Sequence, residues 1–308
     1  MFLGVFLFVC SKNDEDNFVV EIQKVYDTVK IYDRIPIYVN INVYDTSYVY
    51  VERERYIPKE HGYFQKSFYA AHALGRIDGY DYTNSKEAFE QSYAAGYRVF
   101  EVDVELTTDG VPVCMHDIES FNRMTGYEGG TELLYEDFLS RKIYGKYTPA
   151  GVDFIIEMLM KYDDIYFDLD MVYDASVSLD YLINNPVLGE LNTTQRLKLF
   201  NRLIFELYFI EDLEKIDDIY ELKNIAINSV FLIKDRKKQI ELMQKYGLDI
   251  FVEHYSVLND SIVKLYTDSG INVVAWTVDN MVTADYLRKW GVRNVYTNIL
   301  KPSVREKK

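Results

Sequence analysis

The most informative part of the chain is residues 71–117, AHALGRIDGYDYTNSKEAFEQSYAAGYRVFEVDVELTTDGVPVCMHD. An apolar run ends at His72, and after a glycine-containing loop Asn84 and Glu87 have the spacing of a capping box that opens a helix over residues 85–95. Residues 97–106 are then rich in Val, Phe and other strand-forming residues. The order strand, loop, helix, strand predicts a βα unit of a parallel sheet.

Acidic residues alternate along the second of these strands. Glu101, Asp103 and Glu105 share one face, because side chains on a strand alternate between faces with a period of two. Burying neighbouring carboxylates without partners costs several kcal/mol or forces protonation, and a bound cation resolves this conflict. Oxygen ligands favour a hard divalent ion, Mg²⁺ or Ca²⁺, over zinc. A solvated strand face is the alternative, because short acidic patterns also occur by chance.

Two histidines lie at the ends of apolar runs on either side of these acids. A turn at residues 107–110 and a second apolar run over residues 111–115 predict a hairpin that ends at His116. His72 ends the first strand. Histidines beside an ion site are suited to general acid and base chemistry near neutral pH. The stretch therefore indicates an active site.

The same motifs resemble those of the glycerophosphodiester phosphodiesterase family, which belongs to a wider group of phosphatidylinositol phospholipase C-like barrels. The resemblance is strong over the first 50 residues of about residues 69–302 and weaker in the middle of that range. It implies a TIM (β/α)8 barrel and a metal-dependent phosphodiester hydrolase. The matching residues, in the family's order, are His72, Asn84, Glu101, Asp103, Thr107 with Asp109 and Gly110, and His116 with Asp117.

The resemblance also implies roles for individual residues. One divalent cation, Mg²⁺ or Ca²⁺, would be held by Glu101, Asp103 and Asp170, with Asp168 as the alternative third ligand because both aspartates face inward. His72 and His116 would exchange protons with the nucleophile and the leaving group. The substrate's own neighbouring hydroxyl would attack the phosphorus and form a cyclic phosphate that water then opens. The products would be an alcohol and glycerol 3-phosphate.

The chain departs from the family pattern mainly on the substrate side. Arg76 is the nearest replacement for an arginine that normally follows the first histidine, and an exposed loop cation is the alternative interpretation. Trp276 is expected to line the substrate pocket, although packing alone would also explain it. His254 is either a pocket residue or part of the core. In this sequence Ala73 stands where the family has arginine, Val172 where it has lysine, Glu206 where it has glutamine and Asn298 where it has aspartate.

These departures keep two other functions open. A barrel that has lost catalysis could serve as a surface binding or scaffold protein. A phospholipase acting on intact lipid is the third hypothesis. Retention of both histidines and of all three candidate ligands favours an enzyme.

The remainder of the chain alternates between strand and helix patterns, which predicts a TIM barrel over residues 67–308. A β-rich extension over residues 18–66 is expected to pack on it. Predicted helices cover residues 85–95, 151–162, 234–246, 261–269 and 282–290. The eight predicted strands are residues 68–72, 99–104, 165–170, 203–208, 225–230, 250–254, 273–278 and 294–297.

Composition is consistent with one large catalytic domain, since 48% of the 308 residues are hydrophobic. The net charge of −15 argues against nucleic acid and against charge-driven docking on anionic membranes. The two cysteines, Cys10 and Cys114, indicate no disulfide framework. A small-molecule phosphodiester is therefore the expected partner, and no oligomeric state is indicated.

The amino terminus suggests export. An apolar run over residues 1–9 precedes Cys10, as in a bacterial lipoprotein signal whose cysteine is acylated, although no basic residue precedes the run. We interpret residues 1–17 as an export or lipoprotein signal and tether. This interpretation predicts an extracytoplasmic or membrane-anchored protein in a bacterium. A mis-assigned start or a buried strand is the alternative and would leave the protein cytoplasmic.

Overall fold

The computed structural model of the protein describes residues 24–25, 28–42, 45–57, 61–128, 130–172, 174–216, 224–228 and 234–302. The chain divides into two units, Met1–Tyr56 and Ile57–Lys308. Within the predicted β-rich extension a three-stranded sheet consists of β1 (Lys24–Val25), β2 (Thr28–Asn42) and β3 (Asp45–Ile57), in that order.

The expected packing of this extension on the barrel stays a prediction. The proposed signal at residues 1–17, with Cys10, lies outside the described residues. Among the helices that the structure describes, none is long and apolar enough to cross a membrane.

Eight parallel strands of the second unit close into a ring. Their residues are mostly aliphatic and aromatic, as expected for strands that are buried on both faces. The ring closes where the first barrel strand pairs with both the last strand and the second. The predicted TIM barrel is thereby confirmed. The ring strands are β4 (Tyr69–Ala71), β5 (Val99–Leu106), β7 (Tyr166–Met171), β8 (Leu203–Leu207), β9 (Ile225–Asn228), β10 (Ile250–His254), β11 (Asn272–Trp276) and β12 (Asn294–Thr297).

Helices follow the barrel strands, as a parallel sheet requires. The five predicted helices correspond to α1, α4, α9, α10 and α11, whereas the others were not predicted. The helices are α1 (Lys86–Ala95), α2 (Ile118–Thr125), α3 (Tyr135–Ser140), α4 (Val152–Lys161), α5 (Ala175–Ile183), α6 (Pro186–Gly189), α7 (Thr193–Phe200), α8 (Ile210–Ile216), α9 (Arg236–Lys245), α10 (Asp260–Thr267) and α11 (Met281–Trp290).

The start of α1 corrects the predicted capping box. Ser85, not Asn84, is the N-cap, and its side chain accepts a hydrogen bond from the backbone N–H of Ala88. Glu87 bonds instead to the backbone and hydroxyl of Thr148. Asn84 adopts a positive φ of 45°. Its amide is thereby available to the acidic cluster described below.

The predicted hairpin delivers His116 to the top of the barrel. Strand β6 (Pro112–Cys114) pairs antiparallel with the end of β5. The turn closes through hydrogen bonds from Thr107 N–H to Val111 O and from Gly110 N–H to Thr107 O. Gly110 has a φ of +80°, a conformation that glycine adopts without a steric penalty. His116 follows the hairpin and precedes α2.

Residues that precede the predicted boundary at residue 67 also pack into the barrel core. Tyr63 and Phe64 are buried in the same apolar cluster as residues of the barrel strands. His61 anchors this segment, with Nδ1 3.1 Å from Asn224 Oδ1 and Nε2 2.8 Å from Asp249 Oδ2. Tyr63 and Phe64 lie within the second unit, Ile57–Lys308.

Candidate active site

A cavity of about 400 Å³ opens at the carboxyl ends of the barrel strands. Acidic and aromatic side chains dominate its wall, together with His72 and His116. None of the described residues that line it is a lysine or an arginine. The acidic lining residues are Glu101, Asp103, Glu105, Asp117, Asp170 and Glu206, and the aromatic ones are Tyr82, Tyr208, Trp276 and Tyr296.

Three of the acids form a cluster that could hold an ion. Glu101, Asp103 and Asp170 each offer a carboxylate oxygen, and these oxygens lie within 4.8 Å of one another. Glu101 and Asp103 are alternate residues of β5, and Asp103 pairs in register with Asp170 on β7. Strand alternation and parallel pairing thus bring the three predicted ion ligands together.

Hydrogen bonds position the two acids on β5. Glu101 Oε2 accepts a hydrogen bond from the backbone N–H of Ala73 at 2.7 Å. Asp103 Oδ2 accepts one from the side-chain amide of Asn84 at 2.7 Å, and Asn84 Oδ1 in turn accepts the backbone N–H of Asp103. The strained loop residues Ala73 and Asn84, both at positive φ, therefore hold the ligand cluster in place.

The remaining oxygens of the cluster indicate a missing partner. Asp170 Oδ2 accepts the hydroxyl of Tyr208 at 3.0 Å, but Asp170 Oδ1 and Glu101 Oε1 are buried without a hydrogen-bond partner. Burial and then the charge of Asp103 raise the pKa of both acids, and the pKa of Asp170 reaches about 8. Such an oxygen-only cluster fits a hard divalent cation, which would satisfy these atoms and favour ionised carboxylates.

Asp168, the alternative third ligand, lies in a lower layer. Its Oδ2 accepts the hydroxyl of Tyr296 at 2.5 Å, and the same hydroxyl lies 3.1 Å from Glu206 Oε2. One hydroxyl proton can serve only one of these acids, so the other contact requires a protonated carboxyl group. Burial, then the charges of Asp170 and Asp168, raise the pKa of Glu206, and burial raises the pKa of Asp168 to about 7, so the second proton belongs to this pair of acids.

The hydrogen bonds of His72 determine which ring nitrogen carries its proton. Nδ1 lies 2.9 Å from Asn298 Oδ1, while the amide group of Asn298 donates to Asp279 Oδ2 at 2.8 Å. Asn298 therefore presents its oxygen, and His72 Nδ1 must donate. Nε2 is 3.8 Å from Glu101 Oε2, beyond hydrogen-bonding distance. A neutral His72 thus keeps the lone pair of Nε2 available next to the acidic cluster.

The surroundings of His116, in contrast, favour its protonated form. Its Nδ1 lies 2.6 Å from Asp117 Oδ2, and its side chain is 54% exposed. Burial lowers the pKa of His116, but the charge of Asp103 and the hydrogen bond to Asp117 outweigh this effect and raise it overall. Asp117 is itself fixed as the N-cap of α2, where it accepts the backbone N–H of Ser120. His116 is therefore suited to carry a proton.

Tyr82 connects the two histidines and was not predicted. Its ring packs edge-on against His72, with centroids 4.7 Å apart, and against His116 at 5.9 Å. Tyr82 lies in the loop before α1 at a positive φ of 60°. The chain has 28 tyrosines, and no sequence pattern distinguishes Tyr82 from the others.

The residues predicted on the substrate side are only partly brought together. Arg76 does not line the cavity, because its guanidinium is held 3.1 Å from Asp81 and bonds to Gly79 O. Val172, at the position where lysine was expected from the family pattern, does line it. The phosphate contact predicted for Arg76 would require this loop to rearrange.

Trp276 lies where it was predicted, in the cavity wall at the end of β11. The ring of His254 packs edge-on against it at 5.0 Å, but His254 does not line the cavity. His254 Nδ1 contacts Ser256 Oγ at 2.7 Å. This placement favours a supporting position beneath Trp276 over direct contact with a bound molecule.

The tautomer of His72 can be tested directly. In chelator-treated protein, ¹⁵N NMR of the imidazoles should show the proton of neutral His72 on Nδ1. Asn298→Ala removes the acceptor, so the form protonated on Nε2 should gain population. His254 serves as the internal control and should keep its shifts. A wild-type His72 with its lone pair on Nδ1 would contradict the assignment.

Comparison with known proteins places these residues in a family. Residues 76–300 match the model of the glycerophosphoryl diester phosphodiesterase family. The match begins after His72, which is the one site residue that precedes it. No curated protein matches this chain.

Solved structures share the fold at low identity. A protein from Silicibacter pomeroyi DSS-3 that bears the family's name is 18% identical, with a TM-score of 0.63 over 80% of this chain and 96% of that one. An Oleispira antarctica phosphodiesterase in complex with the product sn-glycerol-3-phosphate is 18% identical, with a TM-score of 0.60 over 78% and 96%. A Thermotoga maritima glycerophosphodiester phosphodiesterase is 18% identical, with a TM-score of 0.56 over 75% and 94%.

Proposed function

Because this chain belongs to the glycerophosphoryl diester phosphodiesterase family, we propose that it hydrolyses glycerophosphodiesters to an alcohol and glycerol 3-phosphate by two-histidine acid and base catalysis. The observation that carries the proposal is the complementary state of the two imidazoles. In its neutral form His72 keeps a free Nε2 lone pair, whereas Asp117 and Asp103 favour the protonated form of His116. Both rings contact Tyr82 beside the same acidic cluster.

In the first step, the glycerol hydroxyl next to the phosphoryl group attacks the phosphorus. His72 Nε2 removes the proton of this hydroxyl as the new O–P bond forms. The P–O bond to the alcohol breaks, and His116 donates its proton to the departing oxygen. The products of this step are the free alcohol and a cyclic glycerol phosphate.

In the second step, the two histidines exchange roles. His116, now neutral, removes a proton from a water molecule that attacks the cyclic phosphate. His72, now protonated, returns its proton to the glycerol oxygen as the ring opens. Both residues regain their initial states, and glycerol 3-phosphate is released.

Glu101, Asp103 and Asp170 would hold the divalent cation, since two of their oxygens are buried without another partner. When bound, the ion supplies positive charge that stabilises the developing negative charge on the phosphoryl oxygens. The protein must then keep its ligands fixed. Ala73, Asn84 and Tyr208 do so through the hydrogen bonds described above.

The proposal is tested with a panel of glycerophosphodiesters assayed with and without a chelator. We expect release of glycerol 3-phosphate, a fall of at least about 10²-fold in rate with EDTA, and recovery with excess Mg²⁺ or Ca²⁺. Phosphorus NMR should detect the cyclic phosphate during turnover. Unchanged rates in chelator would refute the role of the ion. No hydrolysis of any diester with either ion present would refute the proposed function and favour the scaffold alternative.

A further inference from the structure

The loop between β4 and α1 brings one aromatic side chain against both histidines of the site. The ring of Tyr82 packs edge-on against the ring of His72, with centroids 4.7 Å apart and planes at 79°. It also packs edge-on against the ring of His116, at 5.9 Å and 89°. One side chain therefore contacts the proposed base and the proposed acid at the same time.

The two histidines are held unequally by the rest of the protein. His72 is 6% exposed, and its Nδ1 is bonded to Asn298. His116 is far more exposed. Within the described part of the chain, its one side-chain hydrogen bond goes to the adjacent residue Asp117 and its one ring contact is with Tyr82. Tyr82 is thus the link between the buried imidazole and the exposed one.

The backbone beneath Tyr82 is itself tied to the barrel. Tyr82 has a φ of 60°, in the left-handed region that residues other than glycine rarely adopt. The three residues that follow are buried, and the hydroxyls of Thr83 and Ser85 lie 3.0 Å apart. Asn84 exchanges two hydrogen bonds with Asp103 on β5. The ring of Tyr82 therefore stands on a fixed segment.

The separation of the two imidazoles matters for the proposed reaction. In phosphoryl transfer the attacking and leaving oxygens lie roughly in line, on opposite sides of the phosphorus. The base must reach one of these oxygens while the acid reaches the other. A displacement of a catalytic group by about 1 Å can cost about 10²-fold in rate. An exposed acid that is bonded only to its sequence neighbour needs a further contact to meet this requirement.

Resting on the proposed function, we infer that Tyr82 is a positioning residue, whose ring packs against the fixed His72 and thereby sets the distance at which His116 stands. Tyr82 acts through His116 and exchanges no proton itself. The aromatic ring carries this role, and the phenolic hydroxyl is not required for it.

Kinetics of two Tyr82 variants test the role of the ring. Tyr82→Ala should lower kcat for a glycerophosphodiester by about 10- to 10²-fold, with KM within about twofold, because the lost contact acts in the transition state. Tyr82→Phe should keep kcat within about twofold. An equal loss in both variants would assign the role to the hydroxyl and overturn the inference. A rise in KM alone would show a substrate contact and overturn it as well.

Two further measurements show whether the effect passes through His116. With a p-nitrophenol leaving group, which needs little protonation, the defect of Tyr82→Ala should shrink to less than about threefold. In a His116→Ala background, Tyr82→Ala should change the residual rate of a natural diester by less than about twofold. Effects of the two substitutions that multiply fully would contradict the inference.

Proton NMR of the histidine rings gives a readout that does not depend on turnover. Tyr82→Ala should shift the ring signals of His72 and His116, whereas Tyr82→Phe should largely keep them. The matched control is Tyr80→Ala, because Tyr80 is an exposed residue of the same loop that stacks on Tyr144 at 3.9 Å and does not line the cavity. This control should preserve kcat and the histidine signals.

The outcomes separate this inference from the proposed function. If Tyr80→Ala reproduced the changes of Tyr82→Ala, loop integrity would explain them and the positioning role would be refuted. His116 signals that do not respond to Tyr82→Ala, in protein that thermal unfolding shows to be folded, would refute it too. Absence of hydrolysis by the wild type would instead refute the proposed function.

Discussion

Replacing His116 by alanine should lower kcat for glycerophosphodiester hydrolysis by about 10²–10⁴-fold, the range typical for loss of a general acid. The leaving alcohol has a high pKa and departs poorly without a proton. The fold should be unaffected, because the His116 side chain is 54% exposed and its hydrogen bond is to the adjacent residue Asp117. Steady-state kinetics and thermal unfolding of the same preparation measure both quantities.

The role of His116 as acid can be separated from that of His72 as base. A diester with p-nitrophenol as leaving group needs little protonation, so the defect of His116→Ala should largely disappear with it. The defect of His72→Ala should persist, since proton removal from the attacking hydroxyl is still required. His254→Ala is the matched control, because this histidine lies outside the cavity wall. Undiminished turnover of natural diesters by His116→Ala would exclude it from the mechanism.

Local patterns in the chain were sufficient to predict the barrel and the acidic cluster. Apolar runs predicted all eight strands because buried parallel strands are short and continuous in hydrophobicity. The alternation of Glu101 and Asp103 predicted a shared face because that relation depends only on neighbouring residues of one strand. Strand register then adds Asp170, a contact that the family resemblance anticipated.

Features that depend on distant parts of the chain were not predictable in this way. Asn84 has the spacing of a helix cap, but its amide bonds to Asp103 and Ser85 caps the helix instead. Tyr82 reaches both histidines through a loop conformation that no periodicity encodes. Asp279 orients Asn298 from the loop after β11. Contacts with residues distant in the sequence determine where these side chains lie, and local propensity does not reveal such contacts.

The acidic cluster also makes the protein's stability depend on pH when no ion is bound. Burial and then the charge of Asp103 raise the pKa of Asp170 from 3.8 to about 8. A group whose pKa is raised on folding stabilises the folded state at low pH, and this contribution is lost as pH rises from about 4 to about 8. In chelator, the wild-type protein should therefore melt at a lower temperature at pH 8 than at pH 5. Asp170→Asn should be more stable than wild type at pH 8, because its amide has no charge to bury.

A bound divalent ion should make the wild type more stable than Asp170→Asn. At 100 times its Kd, the ion should stabilise the wild type by about 2.7 kcal/mol, since it binds only the folded state. Asp170→Asn should lose this stabilisation, and its hydrolysis should fall by at least about 10²-fold. Asp168→Asn is the matched control, because Asp168 is also buried but bonds to Tyr296 below the cluster, and its response to the ion should be retained. If Asp168→Asn lost the response and Asp170→Asn kept it, the third ligand would be Asp168, because only a true ligand couples ion binding to folding.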